Sequence, residues 1–217
     1  MVDIIGDLWS NQLFILFLLS VSGFFYVVAG VLYWCPNYME QVLLVEKSLA
    51  NSFFAVVSFT APVSGVLVGG LITSLFGGYN TRKAQQLTKN IGIFVACLVI
   101  PMPWMNDVAI YILFVWIMLF FGGFILPSLT GIMLNTVPEN QRASANSFAM
   151  FAYNCLGYMP SPAVYGFISM LVETSKSPVK SRLPMASILY SVPLTVAMTF
   201  FAIHKLEAKE LEKINQK

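Results

Sequence analysis

The 217 residues are 58% hydrophobic and only 10% charged, with a mean hydropathy of +0.76. A soluble domain carries about 25% charged residues to cover its surface, so most of this chain's outer surface meets something other than water. A formal charge of +2 is too small for a nucleic-acid footprint, and the three scattered cysteines (Cys35, Cys97, Cys155) have neither disulfide nor zinc-ligand spacing and read as packing residues.

A helix crosses a bilayer with about 20 mostly apolar residues. Six stretches are predicted to do so, at about 12–34, 52–76, 87–105, 108–134, 143–172 and 183–204. The first is preceded by Asp3 and Asp7 with no basic residue, which is unlike a cleavable signal peptide. The third is the shortest and carries Lys89 near its start, from where a lysine snorkels to the interface. The expected class is an all-α membrane protein of one six-helix bundle, residues 1–217, with 205–217 as a solvated helical tail.

Charge collects in the connections. Six crossings put both termini on one side, together with Arg82, Lys83, Lys89, Arg142, Lys205, Lys209, Lys213 and Lys217. The other side holds Lys47, Lys176, Lys180 and Arg182. This bias places both termini in the cytoplasm, with Arg82, Lys83 and Arg142 on the cytoplasmic face.

Helical spacing sorts the polar and small residues into stripes. The first span aligns Ser22, Tyr26, Gly30 and Tyr33. The second aligns Asn51, Ala55, Ser58, Pro62, Gly65, Gly69 and Thr73, and its Gly65–Gly69 pair is a GxxxG that admits a close helix neighbour. The fourth aligns Trp116, Gly123, Pro127, Thr130 and Gly131. The fifth aligns Asn146, Met150, Tyr153, Asn154, Gly157 and Ser161. Helix packing accounts for the glycines. The larger polar groups of Tyr26, Tyr33, Trp116, Asn146, Tyr153 and Asn154 are costly to place in lipid without partners, and are the candidates for lining a solute cavity. Pro127, Pro160, Pro162 and Pro193 fall inside spans, where each removes a backbone hydrogen bond and favours a kink.

Nothing in the pattern is enzymatic. His204 stands at the end of the last span without a second ligand, no nucleophile–base set converges, and no metal or cofactor is expected.

Four motifs in order carry a family resemblance. The first span ends in Gly30-Val-Leu-Tyr-Trp34-Cys-Pro36-Asn-Tyr38, and the second runs through Leu75-Phe-Gly77-Gly78 to Arg82-Lys83. The fourth connects to the fifth through Asn135-Thr-Val-Pro138-Glu-Asn-Gln-Arg142, and the fifth contains Asn154-Cys-Leu156-Gly157-Tyr158-Met-Pro160-Ser-Pro162 followed by Tyr165-Gly166. This order resembles the C-terminal six-helix half of a major facilitator superfamily transporter. The spinster-like branch is most similar, and the organic anion transporting polypeptides come second, because the 173–182 loop lacks the cysteines of the latter.

The resemblance implies alternating access around a central site, with the first and fourth spans lining the cavity. Tyr26, Tyr33 and Trp116 would then face substrate, with Asn154 joining from the fifth span, and the apolar, aromatic character of this candidate cavity points to a small organic, amphiphilic solute. It also implies a partner, either an N-terminal six-helix half or a second copy. The chain is then a piece of a longer carrier or a half-sized carrier. The alternative is a non-transporting structural subunit of a membrane assembly.

Overall fold

The computed structural model describes residues 2–79, 81–173 and 180–215, so Lys176 and Lys217 of the charge bias lie outside the described residues. Among these, all regular structure is helical. The helices are α1 (Val2–Ser10), α2 (Gln12–Gln41), α3 (Lys47–Leu75), α4 (Arg82–Val99), α5 (Val108–Asn135), α6 (Arg142–Tyr153), α7 (Pro160–Glu173), α8 (Leu183–Leu189) and α9 (Ser191–Asn215). They form six segments long and apolar enough to cross a membrane, with α6 and α7 together making the fifth and α8 and α9 the sixth. The fold is that of an all-α membrane bundle.

The helix ends follow from local chemistry. Asn11, Thr81 and Asp107 begin α2, α4 and α5 by accepting hydrogen bonds from Phe14 N (3.3 Å), Ala84 N (3.3 Å) and Ile110 N (3.0 Å). Helix α3 stops at a glycine pair with φ of 88° at Gly77 and 94° at Gly78. Only glycine takes such angles without strain, and the turn lets Gly77 N and Gly78 N donate to Ser74 O and Thr73 O, both at 3.0 Å.

Helix α2 is the centre of the bundle. It packs against α9 on one side, against α5 and α3 on another, and against the fifth span on a third. Helix α4 fills in between α5 and α9. Helix α3 is paired mainly with α5, and the fifth span is held mainly by α2 and α8, so these two spans flank α2 from opposite sides. The interior is built from the buried faces of Phe14, Phe17, Val21 and Val31 in α2 with Tyr111, Met118, Leu129 and Met133 in α5 and Val192, Val196 and Ile203 in α9.

Helix α3 approaches α5 backbone to backbone. A Cβ on Gly65 would collide with the Phe120 carbonyl oxygen, and one on Gly69 would lie 2.6 Å from that of Phe124. Gly123 reciprocates, since its Cβ would stand 2.7 Å from Pro62 O. Thr73 and Ser128 share a buried hydroxyl hydrogen bond of 3.0 Å in the same seam. The predicted stripe on α3 serves this seam only from Pro62 to Thr73, because Asn51 and Ala55 are exposed at its start.

The prolines divide by position. Pro36, Pro62 and Pro127 sit inside helices that run on past them. Pro193 instead lies in the first turn of α9 and Pro160 opens α7, where an N–H would have no helical partner in any case. The fifth span changes helix type just ahead of Pro160, and the sixth breaks at Tyr190, just ahead of Pro193.

Both ends of the bundle are cross-tied. At the end that carries the termini, Asn11 Nδ2 donates to Thr136 O (2.9 Å), Gln141 Nε2 to Asp7 Oδ2 (3.3 Å) and Lys205 Nζ to Gln12 Oε1 (2.7 Å). Lys89 Nζ meets Glu207 Oε1 at 2.8 Å, joining α4 to α9. At the other end, the Arg182 guanidinium donates to Pro103 O and Met105 O, both at 3.0 Å, and to Asn106 Oδ1 at 2.6 Å. Tyr38 Oη donates to the same Pro103 carbonyl at 2.9 Å.

Candidate functional site

Three elements shape the candidate surface: a strip of α2, the outer face of the α3–α5 pair, and the α6 side of the fifth span. On α2, Leu19, Tyr26 and Tyr33 recur every seven residues and so stack on one side of the helix. Tyr33 is 66% exposed and Tyr26 half-buried. Their predicted stripe-mates differ. Ser22 is buried and returns its hydroxyl to Leu18 O (2.8 Å), and Gly30 is buried against Ile188 and Ser161. The two tyrosines therefore form the open edge of a stripe whose small members are packed.

Tyr26 lies at the crossing with the fifth span. Gly157 presses on α2 there, with a Cβ position 3.1 Å from Tyr26 N and closer still to Ser22 O. One turn below, Tyr153 stacks on Phe25 with ring centroids 4.4 Å apart and planes 5° from parallel. Asn154 is exposed and donates its side-chain N–H to Met150 O (2.7 Å). Asn146 sits two turns back on the same row, with Nδ2 3.9 Å from Met150 Sδ.

The fifth-span stripe does not survive as one face. Asn154–Tyr158 is wound as a π-helix, and the extra residue shifts the phase of everything beyond it. Met150 and Asn154 consequently face outward while Gly157 and Ser161 turn onto α2. Regular helical spacing had placed all of them together.

Trp116 occupies another corner. Its indole Nε1–H donates to Thr60 Oγ1 on α3 (3.0 Å), and its ring stacks on Phe120 at 5.3 Å. It borders an open apolar groove of about 570 Å³ between α3 and α5, with Phe53, Val57, Val108 and Ile112. Thr60 was not singled out by sequence reasoning, since it lies off the glycine stripe of α3. Trp34, which belongs to the motif that ends the first span, is a fastening point. Its indole donates to Pro162 O (3.1 Å) and its ring stacks on Tyr165 at 4.4 Å.

Of the basic residues, Arg82 and Lys83 are exposed at the first turn of α4. Arg142 starts α6, 3.6 Å from Glu139, and its Nε is buried without a hydrogen-bond partner. No group of three or more His, Cys, Asp or Glu is placed to hold a metal ion among the described residues. The arrangement offers aromatic faces, amide groups and apolar grooves, which bind organic molecules by stacking and hydrogen bonding.

Comparison with known proteins gives these features a context. The model of the Organic Anion Transporter Polypeptide (OATP) family matches residues 1–106, which run from α1 through α4. Sphingosine-1-phosphate transporter SPNS2 of Mus musculus is 27% identical over 233 residues, covering 95% of this chain and 42% of that protein. Its counterpart in Xenopus tropicalis is 24% identical over 231 residues, covering 94% of this chain and 44% of that protein. The chain thus spans less than half the length of these curated relatives. It is an integral, multi-pass membrane protein similar to transporters of the major facilitator type, by the organic anion transporter match over its first three spans and by spinster-type relatives over nearly all of its length.

Proposed function

We propose that this chain forms the C-terminal six-helix half of a secondary carrier that moves a small amphiphilic organic solute by alternating access. The observation that carries the reading is the Tyr26–Tyr33 strip of α2, left open between two poorly buried flanking spans. A central helix buried on its other sides and open along one polar, aromatic strip has the form of half a cavity wall. A second six-helix half, on a separate segment or a second copy, supplies the opposing wall. Trp116, Tyr153 and Asn154 act with the tyrosines as contacts for solute, while Asn146 extends the amide row towards the end that carries the termini. That end is cytoplasmic in this reading, with Arg82, Lys83 and Arg142 facing the anionic leaflet. The relatives, sphingosine-1-phosphate transporters, support an amphiphile over a sugar or an inorganic ion.

Uptake of sphingosine 1-phosphate into liposomes that hold the full-length protein tests this reading. Accumulation above empty liposomes is expected, falling about tenfold in Tyr26→Ala or Asn154→Ala, each of which loses contacts on the order of 1.4 kcal/mol in the transport transition state. No accumulation for any amphiphile, with protein shown to be inserted, would return the chain to the role of a structural subunit.

A further inference from the structure

The fifth span changes helix type in mid-course, as no other crossing does among the described residues. Helix α6 ends at Tyr153, Asn154–Tyr158 is π-helical, and α7 opens at Pro160. Met159 N donates to Asn154 O at 2.9 Å, five residues back rather than four. Pro160 and Pro162 have no N–H to give to the carbonyls of Leu156 and Tyr158, which would be their partners in a continuous α-helix.

Each side of this break is fastened to α2 separately. The α6 side is held by the Phe25–Tyr153 stack, and the α7 side by Trp34 on Pro162 O and Tyr165. Between the two clamps Gly157 touches the α2 backbone with no side chain intervening, which makes a pivot. A separate sign of a second state is Ser161. It is wholly buried, and its Oγ has no hydrogen-bond partner. A helical serine ordinarily returns its hydroxyl to the carbonyl four residues back, which here is Gly157 within the π turn. In the present register the hydroxyl faces Gly30 and Ile188 instead. An unpaired buried hydroxyl is disfavoured, so this register competes with one that pairs it.

The geometry points to a register switch in the fifth span. The π turn is one state. The other is α-helical throughout, with the extra residue absorbed and Ser161 Oγ on Gly157 O. One residue is about 100° of helical rotation, so the switch turns α6 relative to α7 and swings the Asn146–Met150–Asn154 row. Solute bound at Tyr153 and Asn154 biases the choice. That last link rests on the carrier reading, and the switch itself does not.

Hydrogen exchange of the full-length protein in lipid nanodiscs separates the two. Helix α3 is the control, since it is a flanking span of comparably low burial without a π turn. Amides in 156–163 are expected to exchange about tenfold faster than those in 60–67 of α3. Deleting Cys155 removes the extra residue and brings the exchange down to the α3 level. The double variant Pro160→Ala/Pro162→Ala, which restores both N–H donors at full length, does the same if the deletion fails to fold. Equal exchange in the two spans of the unaltered protein, or fast exchange that persists in the folded variants, overturns the switch. Slowed exchange in a variant, with sphingosine 1-phosphate uptake reduced about tenfold, supports both readings. Fast exchange in an unaltered protein that moves no amphiphile supports the switch and removes the carrier reading alone.

Discussion

The second and fifth spans stand on opposite flanks of α2 and are the two least buried crossings, yet one is a continuous helix and the other is broken. Both contain proline. Helix α3 runs straight through Pro62 because that turn lies in backbone contact with α5 at Gly123, inside a seam that extends to Thr73 and Ser128. The fifth span has no such extended seam. It is clamped by aromatic rings at two separated points and meets the α2 backbone between them at Gly157 alone, inside the π turn. A single proline therefore does not by itself break a membrane helix. The continuity of the neighbouring support counts as well.

This contrast can be broken from either side. The largest effect is expected from Gly65→Leu, which forces a side chain onto the Phe120 carbonyl and should cost about 3 kcal/mol. Steric-trap unfolding in bicelles would read it, and the α3–α5 pair should open first. Gly157→Leu should cost about 2 kcal/mol, less than Gly65→Leu, because the fifth span can yield at its break. If Gly157→Leu proves the more damaging, the break is rigid and the comparison fails. Trp34→Phe keeps a ring on Tyr165 and loses the bond to Pro162 O, which should lower stability by about 1 kcal/mol and speed exchange in α7 but not in α6. The smallest effect belongs to the Trp116–Thr60 hydrogen bond. Thr60→Val and Trp116→Phe should each cost about 0.6 kcal/mol, and the double variant should cost no more than either, in a cycle of unfolding midpoints.

Much of the fold was legible in advance. Six apolar stretches are visible to counting, because a bilayer demands uninterrupted length and tolerates charge only at the ends. The Gly65–Gly69 spacing pointed to a close neighbour, though not to α5 as that neighbour, since GxxxG states proximity without an address. The site was legible by halves. Tyr26 and Tyr33 share an open strip as their spacing implies, while Ser22 and Gly30 in the same stripe are packed, because a stripe two residues wide straddles the edge of a buried face. The fifth-span stripe misled, because periodicity assumes a constant number of residues per turn and the π segment breaks that assumption. Pro160 and Pro162, two residues apart, were the signal that could have announced it. Thr60 and Arg182 depend on contacts between spans far apart in sequence, which no local pattern encodes.

The cross-ties at the two ends of the bundle have a mechanical consequence. Arg182 stitches the connection before the sixth span to that between the third and fourth, and the Lys89–Glu207, Lys205–Gln12 and Asn11–Thr136 contacts stitch the opposite rim. A beam clamped at both ends yields where its cross-section is weakest. In the carrier reading proposed above, load from a moving partner half would enter such a body at the rims and be relieved near the π turn, so compliance and the proposed solute contacts would fall at the same depth.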